Sequence, residues 1–152
     1  MARLNGSLTT SAQITLSASA TKTVLQLSAP STVCVAVKGF GLSFDSDDGA
    51  LEGVEVRLSI QTTGGTATSR SPQKVNRTVS DALQSSGSEN ATAEPTTTDI
   101  LRTYLVNAQT GVAEVFSEDG EIILGFSDRL GLIVITPSGV TPQCTAWIDF
   151  EE

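Results

Sequence analysis

Residues 53 to 61 read GVEVRLSIQ, and no other stretch limits the possible folds so sharply. Val54, Val56, Leu58 and Ile60 share one parity, while Glu55, Arg57, Ser59 and Gln61 share the other. Side chains of a strand alternate between two faces, so this pattern predicts a strand with one buried face and one wet face. Strands of that kind belong to antiparallel sheets. QCTAWIDF, at 143 to 150, repeats the pattern: Cys144, Ala146, Ile148 and Phe150 on one side, Thr145, Trp147 and Asp149 on the other.

TVCVAVKGFGLSF, at 32 to 44, alternates but changes phase. Val33, Val35 and Val37 are odd; Phe40, Leu42 and Phe44 are even. A bulge at Lys38-Gly39, with Gly39 in a permissive conformation, keeps both halves on one core and predicts a long, bent strand. Further strands are expected at 12–17, 22–28, 99–106, 111–116, 121–126 and 130–136, with a hairpin turn at Asp119-Gly120. Residues 62 to 98 are rich in Ser, Thr and Gly. Within this long polar loop region the expectation is short strands near 73–79 and 91–94, with a brief helical turn at 78–86 capped by Ser80.

The count of eight to ten short strands predicts an all-β fold in a single domain at 12–152, preceded by an N-terminal arm at 1–11. An immunoglobulin fold would place its Trp between the two cysteines, whereas Trp147 follows both Cys34 and Cys144. A jelly-roll-like antiparallel β-sandwich is therefore the expected architecture. At 152 residues such a domain buries about 68–70% of its unfolded surface and needs no disulfide. The cysteines are read as two buried, reduced thiols.

Composition then narrows function. The net charge is −8, which argues against nucleic acid or an anionic membrane as a partner, since both need clustered Lys and Arg. No signal peptide or apolar membrane span is recognised, so the expectation is a chain made in the host cytoplasm. The sequons at Asn5, Asn76 and Asn90 are discounted on the same ground. There is no His, so no Ser–His or Cys–His nucleophile pair can form. No phosphate-cradling Gly loop is present, and the nominees for carboxylate chemistry, Glu118 with Asp119 and Asp128 near Arg129, read as solvated surface. The chain is read as non-enzymatic, with no catalytic residue and no cofactor.

The stretch FDSDDGALEG, at 44 to 53, is the most chemical in appearance. An EF-hand loop needs acids at positions 1, 3 and 5, Gly at 6 and Glu at 12. Counting from Asp45, the spacing fails after Asp47. The reading is an acidic turn, with a calcium loop of Asp45, Asp47, Asp48 and Glu52 as the alternative. Trp147 and Tyr104, with Leu4 and Leu8 of the arm, are the interface candidates.

Three segments carry a resemblance: ATKTVLQLSAPSTVCVAVKGFGLSFD (20–45), ENATAEPTTTDIL (89–101) and SDRLGLIVITPSGVTPQCTAWIDFEE (127–152). They resemble a family of small β-sandwich proteins encoded among the head genes of tailed phages and prophages. The matching motifs are Thr21–Leu27, Phe44-Asp45, Ala93–Thr96 and Arg129–Gly131. The inserted SDDGALEG departs from the family's short Phe-Asp-Gly turn. The resemblance implies a structural virion protein on the capsid exterior: a head decoration, or cement, protein. Its partner would be the major capsid protein, and it would act as a homo-oligomer, with a homotrimer favoured. The alternative is a receptor- or glycan-binding jelly-roll module of a phage tail or fibre.

Overall fold

The computed structural model describes residues 4–46, 52–78 and 80–152. Those residues form thirteen strands: β1 (Asn5–Thr9), β2 (Ile14–Thr15), β3 (Thr21–Ser28), β4 (Val35–Asp45), β5 (Gly53–Gln61), β6 (Thr66–Arg70), β7 (Gln73–Lys74), β8 (Ser86–Ala93), β9 (Thr97–Asn107), β10 (Gly111–Val115), β11 (Ile122–Leu124), β12 (Arg129–Ile135) and β13 (Gln143–Glu151). One sheet runs β10-β4-β13-β1-β7, with β11 also on β4 and β2 on β13; the second runs β6-β8-β3-β12-β5-β9. Every pairing is antiparallel. This is the expected jelly-roll-like β-sandwich. The strand count exceeds eight to ten because β2, β7 and β11 are only two or three residues long.

The two sheets seal one apolar core. Leu8, Phe40, Leu42, Ile148 and Phe150 face Leu25, Leu27, Leu58, Leu130 and Leu132 across it. Burial of such side chains stabilises by about 1.5–3 kcal/mol each. Of the segment read as an arm, Asn5–Thr9 is β1, paired with β13 along its whole length. Leu4 and Leu8 are buried, so neither is free for contact with a partner. The physical reason is that β13 needs a neighbour on that edge and Leu8 fills the space beside it.

The phase change in β4 is a bulge at Lys38. Asp149 pairs with Gly39 and Phe150 with Val37, which leaves Lys38 as the extra residue. Gly39 does not adopt a positive φ. Glycine is required there for another reason: a Cβ would stand 2.7 Å from the Glu114 carbonyl oxygen of β10. The extruded Lys38 places its Nζ 2.6 Å from Glu121 and 3.3 Å from Glu151. The hydrogen bond to Glu121 is the main cause that raises its pKa.

The expected hairpin at Asp119-Gly120 does not form. Glu118–Gly120 is a 3-10 turn, and β10 and β11 lie end to end along β4. Buried Phe116, whose N–H bonds the Lys38 carbonyl, holds the chain against β4 and prevents the fold-back. Residues 80 to 85 take no helical turn. The polar region instead supplies β6, β7 and β8.

β5–β9 forms one edge of the second sheet and β6–β8 the other, so the chain must cross between edges twice. It does so as a ribbon over the sheet's outer face. The Thr62 N–H bonds the Thr96 carbonyl, and the Thr96 N–H bonds Thr63 Oγ1. Asn90, at φ 55, turns β8 away from β3. Beneath the ribbon the face expected to be wet is dry: Ser59 is 0% exposed and Gln61 2%. Gln26 Nε2 donates to Gln61 Oε1 at 2.7 Å and to the Thr63 carbonyl at 2.9 Å. Gln61 Nε2 donates to Thr23 Oγ1 at 3.1 Å. Buried amides of this kind need such partners, since each unmade bond costs about 1–3 kcal/mol.

Three glutamates pin the polar segments by one device, a carboxylate that accepts both the N–H and the hydroxyl of a Ser or Thr. Glu89 holds Ser11, Glu94 holds Thr23, and Glu152 holds Ser85 together with the Gln84 N–H. Charge-assisted bonds of this type are roughly twice as strong as neutral ones.

Candidate interaction face

Register places a set of small and apolar residues on the outer face of the first sheet. Val115, Gly39 and Asp149 form one row; Ala113, Gly41 and Trp147 form the next; Gly111, Ser43 and Thr145 form a third. Beyond the Lys38 bulge, Ile123, Ala36 and Glu151 make a fourth. Paired residues on adjacent strands point to the same side, so all four rows share this face.

Trp147 lies across Gly41. A Cβ at Gly41 would be 2.3 Å from the indole Nε1, so only glycine permits this pose. The indole therefore borders a shallow depression of about 300 Å³, lined also by Ser43, Gly111, Ala113 and Thr145. Ser43 Oγ and Thr145 Oγ1 are 2.7 Å apart and hydrogen-bonded. In the next two rows of the face Val115 is 79% and Ile123 61% exposed. Around Gly39, Gly41 and Gly111 the β4–β10 part of the face is thus nearly free of long side chains, whereas its β11 end also carries Lys38, ion-paired with Glu121 and with Glu151 of the fourth row. The β13–β1 half carries Asp149, Glu151, Ser7 and Thr9. An apolar patch rimmed by polar groups marks an interaction surface.

Tyr104 is placed elsewhere. It points inward from β9, with its ring 5.4 Å from that of Phe40. Its hydroxyl bonds Glu114, which also takes Arg102 Nη1 at 2.8 Å, and the Arg102 guanidinium lies 4.6 Å from the Phe116 ring. Burial first, and the Glu114 bond second, push the Tyr104 pKa up to about 12. This cluster ties the two sheets together where β9 and β10 meet, which makes Tyr104 part of the frame.

Of the acidic stretch, Asp47 and Asp48 lie outside the described residues. Asp45 and Glu52 are exposed, and Gln13 Nε2 donates to Asp45 Oδ2 at 3.5 Å. Among the described residues no group of three or more Cys, Asp and Glu side chains comes together as a metal site. The cysteines differ: Cys34 is exposed, while Cys144 is buried and desolvation raises its pKa to about 12. Among the described residues no helix is long and apolar enough to cross a membrane.

Sequence reasoning singled out Trp147 but missed Val115, Ile123 and the row of small residues beside them. The signal was present in the glycines at 39, 41 and 111, which leave the outward positions of two neighbouring strands bare. Reading it required the pairing of β10 with β4. In comparisons with known proteins, no family model, no curated protein and no solved structure matches this chain.

Proposed function

We propose that this chain is a structural virion protein, a capsid decoration protein that binds and stabilises the assembled head shell through the outer face of its first sheet. The observation that carries the reading is the outer face itself, which exposed Val115 and Ile123 share with Trp147 and a bed of Gly and Ala. A decoration protein acts by burying surface on a shell that its free subunits do not offer, so binding stabilises the assembled state by mass action. A flat face suits that task better than a deep cleft, and Trp is an interface residue of high value. The resemblance of 20–45, 89–101 and 127–152 to phage head proteins supports the same partner, the major capsid protein, with a homotrimer as the expected assembly.

The test is the copy number of this chain in purified particles. A fixed ratio comparable to the major shell protein is the expected result. A handful of copies, or none, would overturn it.

One observation favours a second reading, a glycan-binding module. An indole laid flat beside the Ser43 and Thr145 hydroxyls is a surface on which a sugar ring can stack and hydrogen-bond. Binding of neutral oligosaccharides, lost in Trp147→Ala, together with low copy number, would establish that reading in place of the first.

A further inference from the structure

The second sheet carries a concave site of different chemistry. On its outer face, Ser69, Ser88 and Gln26 stand in one row, and Ser86, Ser28 and Arg129 in the next. The crossing ribbon supplies Gly64 and Gly65 as a wall. The recess so formed has a volume of about 250 Å³. Its floor is hydroxyl-rich because four serines occupy outward positions on three adjacent strands.

Three facts bear on what it holds. Among the described residues, none of the hydroxyls of Ser28, Ser69, Ser86 and Ser88 has a hydrogen-bond partner within the chain. Arg129 bonds only the Thr62 carbonyl, at 3.3 Å, and has no carboxylate partner among the described residues. The lining contains one cation and no acid, in a chain with nine basic and seventeen acidic residues. Gln26 has both amide N–H groups committed to Gln61 and Thr63, so the donors left to face a ligand here are the serine hydroxyls and the Arg129 guanidinium. A guanidinium with free donors, facing hydroxyls that can each donate one hydrogen, matches an oxyanion. The lining has no aromatic ring, which removes the stacking surface a neutral sugar would use.

We propose that this recess binds a small oxyanion, either a phosphate group or the carboxylate of an acidic sugar, with Arg129 pairing the charge and Ser28, Ser86 and Ser88 donating to its oxygens. The site is separate from the face assigned to the shell and does not depend on that assignment.

The experiment is a titration of the full chain followed by amide NMR, with inorganic phosphate in one arm, glucuronate in the second and glucose as the neutral control. The expected result is saturable shifts at Ser28, Gly64, Gly65, Ser86 and Ser88 with a charged probe and none with glucose. Arg129→Gln should weaken the interaction by about tenfold or more. Tighter binding of phosphate would point to a phosphorylated ligand; tighter binding of glucuronate would point to an acidic glycan. The Ser86→Ala/Ser88→Ala double variant keeps the test open if Arg129→Gln fails to fold, and it too should weaken binding. Absence of saturable shifts with both anions, equal response to glucose, or binding unchanged in both variants would overturn the proposal.

Discussion

The two outer faces of this sandwich start from the same strand pattern and end differently. On the second sheet the outward residues Thr23, Gln26, Ser59 and Gln61 are sealed under the crossing ribbon and bonded to one another, except for Ser59, whose hydroxyl has no partner among the described residues. On the first sheet Gly39, Gly41 and Gly111 add no side chain, the Trp147 indole lies across Gly41, and Val115 and Ile123 stay exposed. Alternation assigns a residue to a side of the sheet. Whether that side then meets water, a ribbon of the same chain or another protein depends on where a polar connection runs. One face is covered within the chain; the other keeps Val115 and Ile123 exposed.

Two glycines put that contrast to the most direct test. A Cβ at Gly131 would stand 2.3 Å from Gln61, and a Cβ at Gly41 would stand 2.3 Å from Trp147. The clash is the same size, but Gln61 is trapped under the ribbon while Trp147 can swing outward. Gly131→Ala should therefore destabilise by about 2–4 kcal/mol, from overpacking plus broken buried bonds, as measured by urea unfolding. Gly41→Ala should cost about 1 kcal/mol or less and shift the Trp147 fluorescence to the red as the indole moves into water. Equal losses would remove the distinction between the faces.

The ribbon depends on its glutamate clamps. Glu94→Ala removes the carboxylate oxygen that accepts both the N–H and the hydroxyl of Thr23 and should cost about 1–2 kcal/mol, with faster hydrogen exchange at the Thr23 amide. A change confined to the Thr96–Thr98 amides would show that the ribbon is held by its own pairing alone.

These two regions also differ in how far the sequence revealed them. The long strands were legible, because Val54–Ile60, Phe40–Phe44 and Cys144–Phe150 alternate over enough residues to exclude a helix. The bulge at Lys38 was legible for the same reason, since a phase flip needs an extra residue. The ribbon was not. Its residues are Thr, Gly, Glu and Pro, whose local preferences fit a loop equally well, and its order comes from partners such as Glu94 and Thr23 that lie 71 positions apart in sequence. The Asp119-Gly120 turn misled because burial of Phe116 against β4 outweighs local turn preference. The candidate face was half legible. Trp147 stood out as a residue type, whereas Val115 and Ile123 became neighbours only through their shared partner β4.

Titration should separate interior from surface on a smaller scale. Cys144 and Tyr104 have pKa values raised to about 12, and Lys38 is raised above 10.5. Each group binds its proton more tightly folded than unfolded, so its contribution is complete below its unfolded pKa and is lost as pH rises through the folded value. Stability should fall between about pH 9 and pH 12, and Tyr104→Phe with Cys144→Ala should flatten that decline. At neutral pH a thiol reagent should label Cys34 alone, with Cys144 reacting only on unfolding.

The smallest expected change in stability belongs to the open face. Val115→Asp and Ile123→Asp alter exposed positions and should move stability by about 0.5 kcal/mol or less. Their effect on shell binding is the measurement that decides the functional reading. The double variant, the parent chain and Leu105→Asp, which changes a residue 78% exposed on β9 of the other sheet, would be mixed with undecorated phage heads and sedimented. We predict that the parent and Leu105→Asp bind in a fixed ratio to the shell protein while the double variant stays in the supernatant. Full binding by the double variant, or loss of binding by Leu105→Asp alone, would contradict the assignment of the open face.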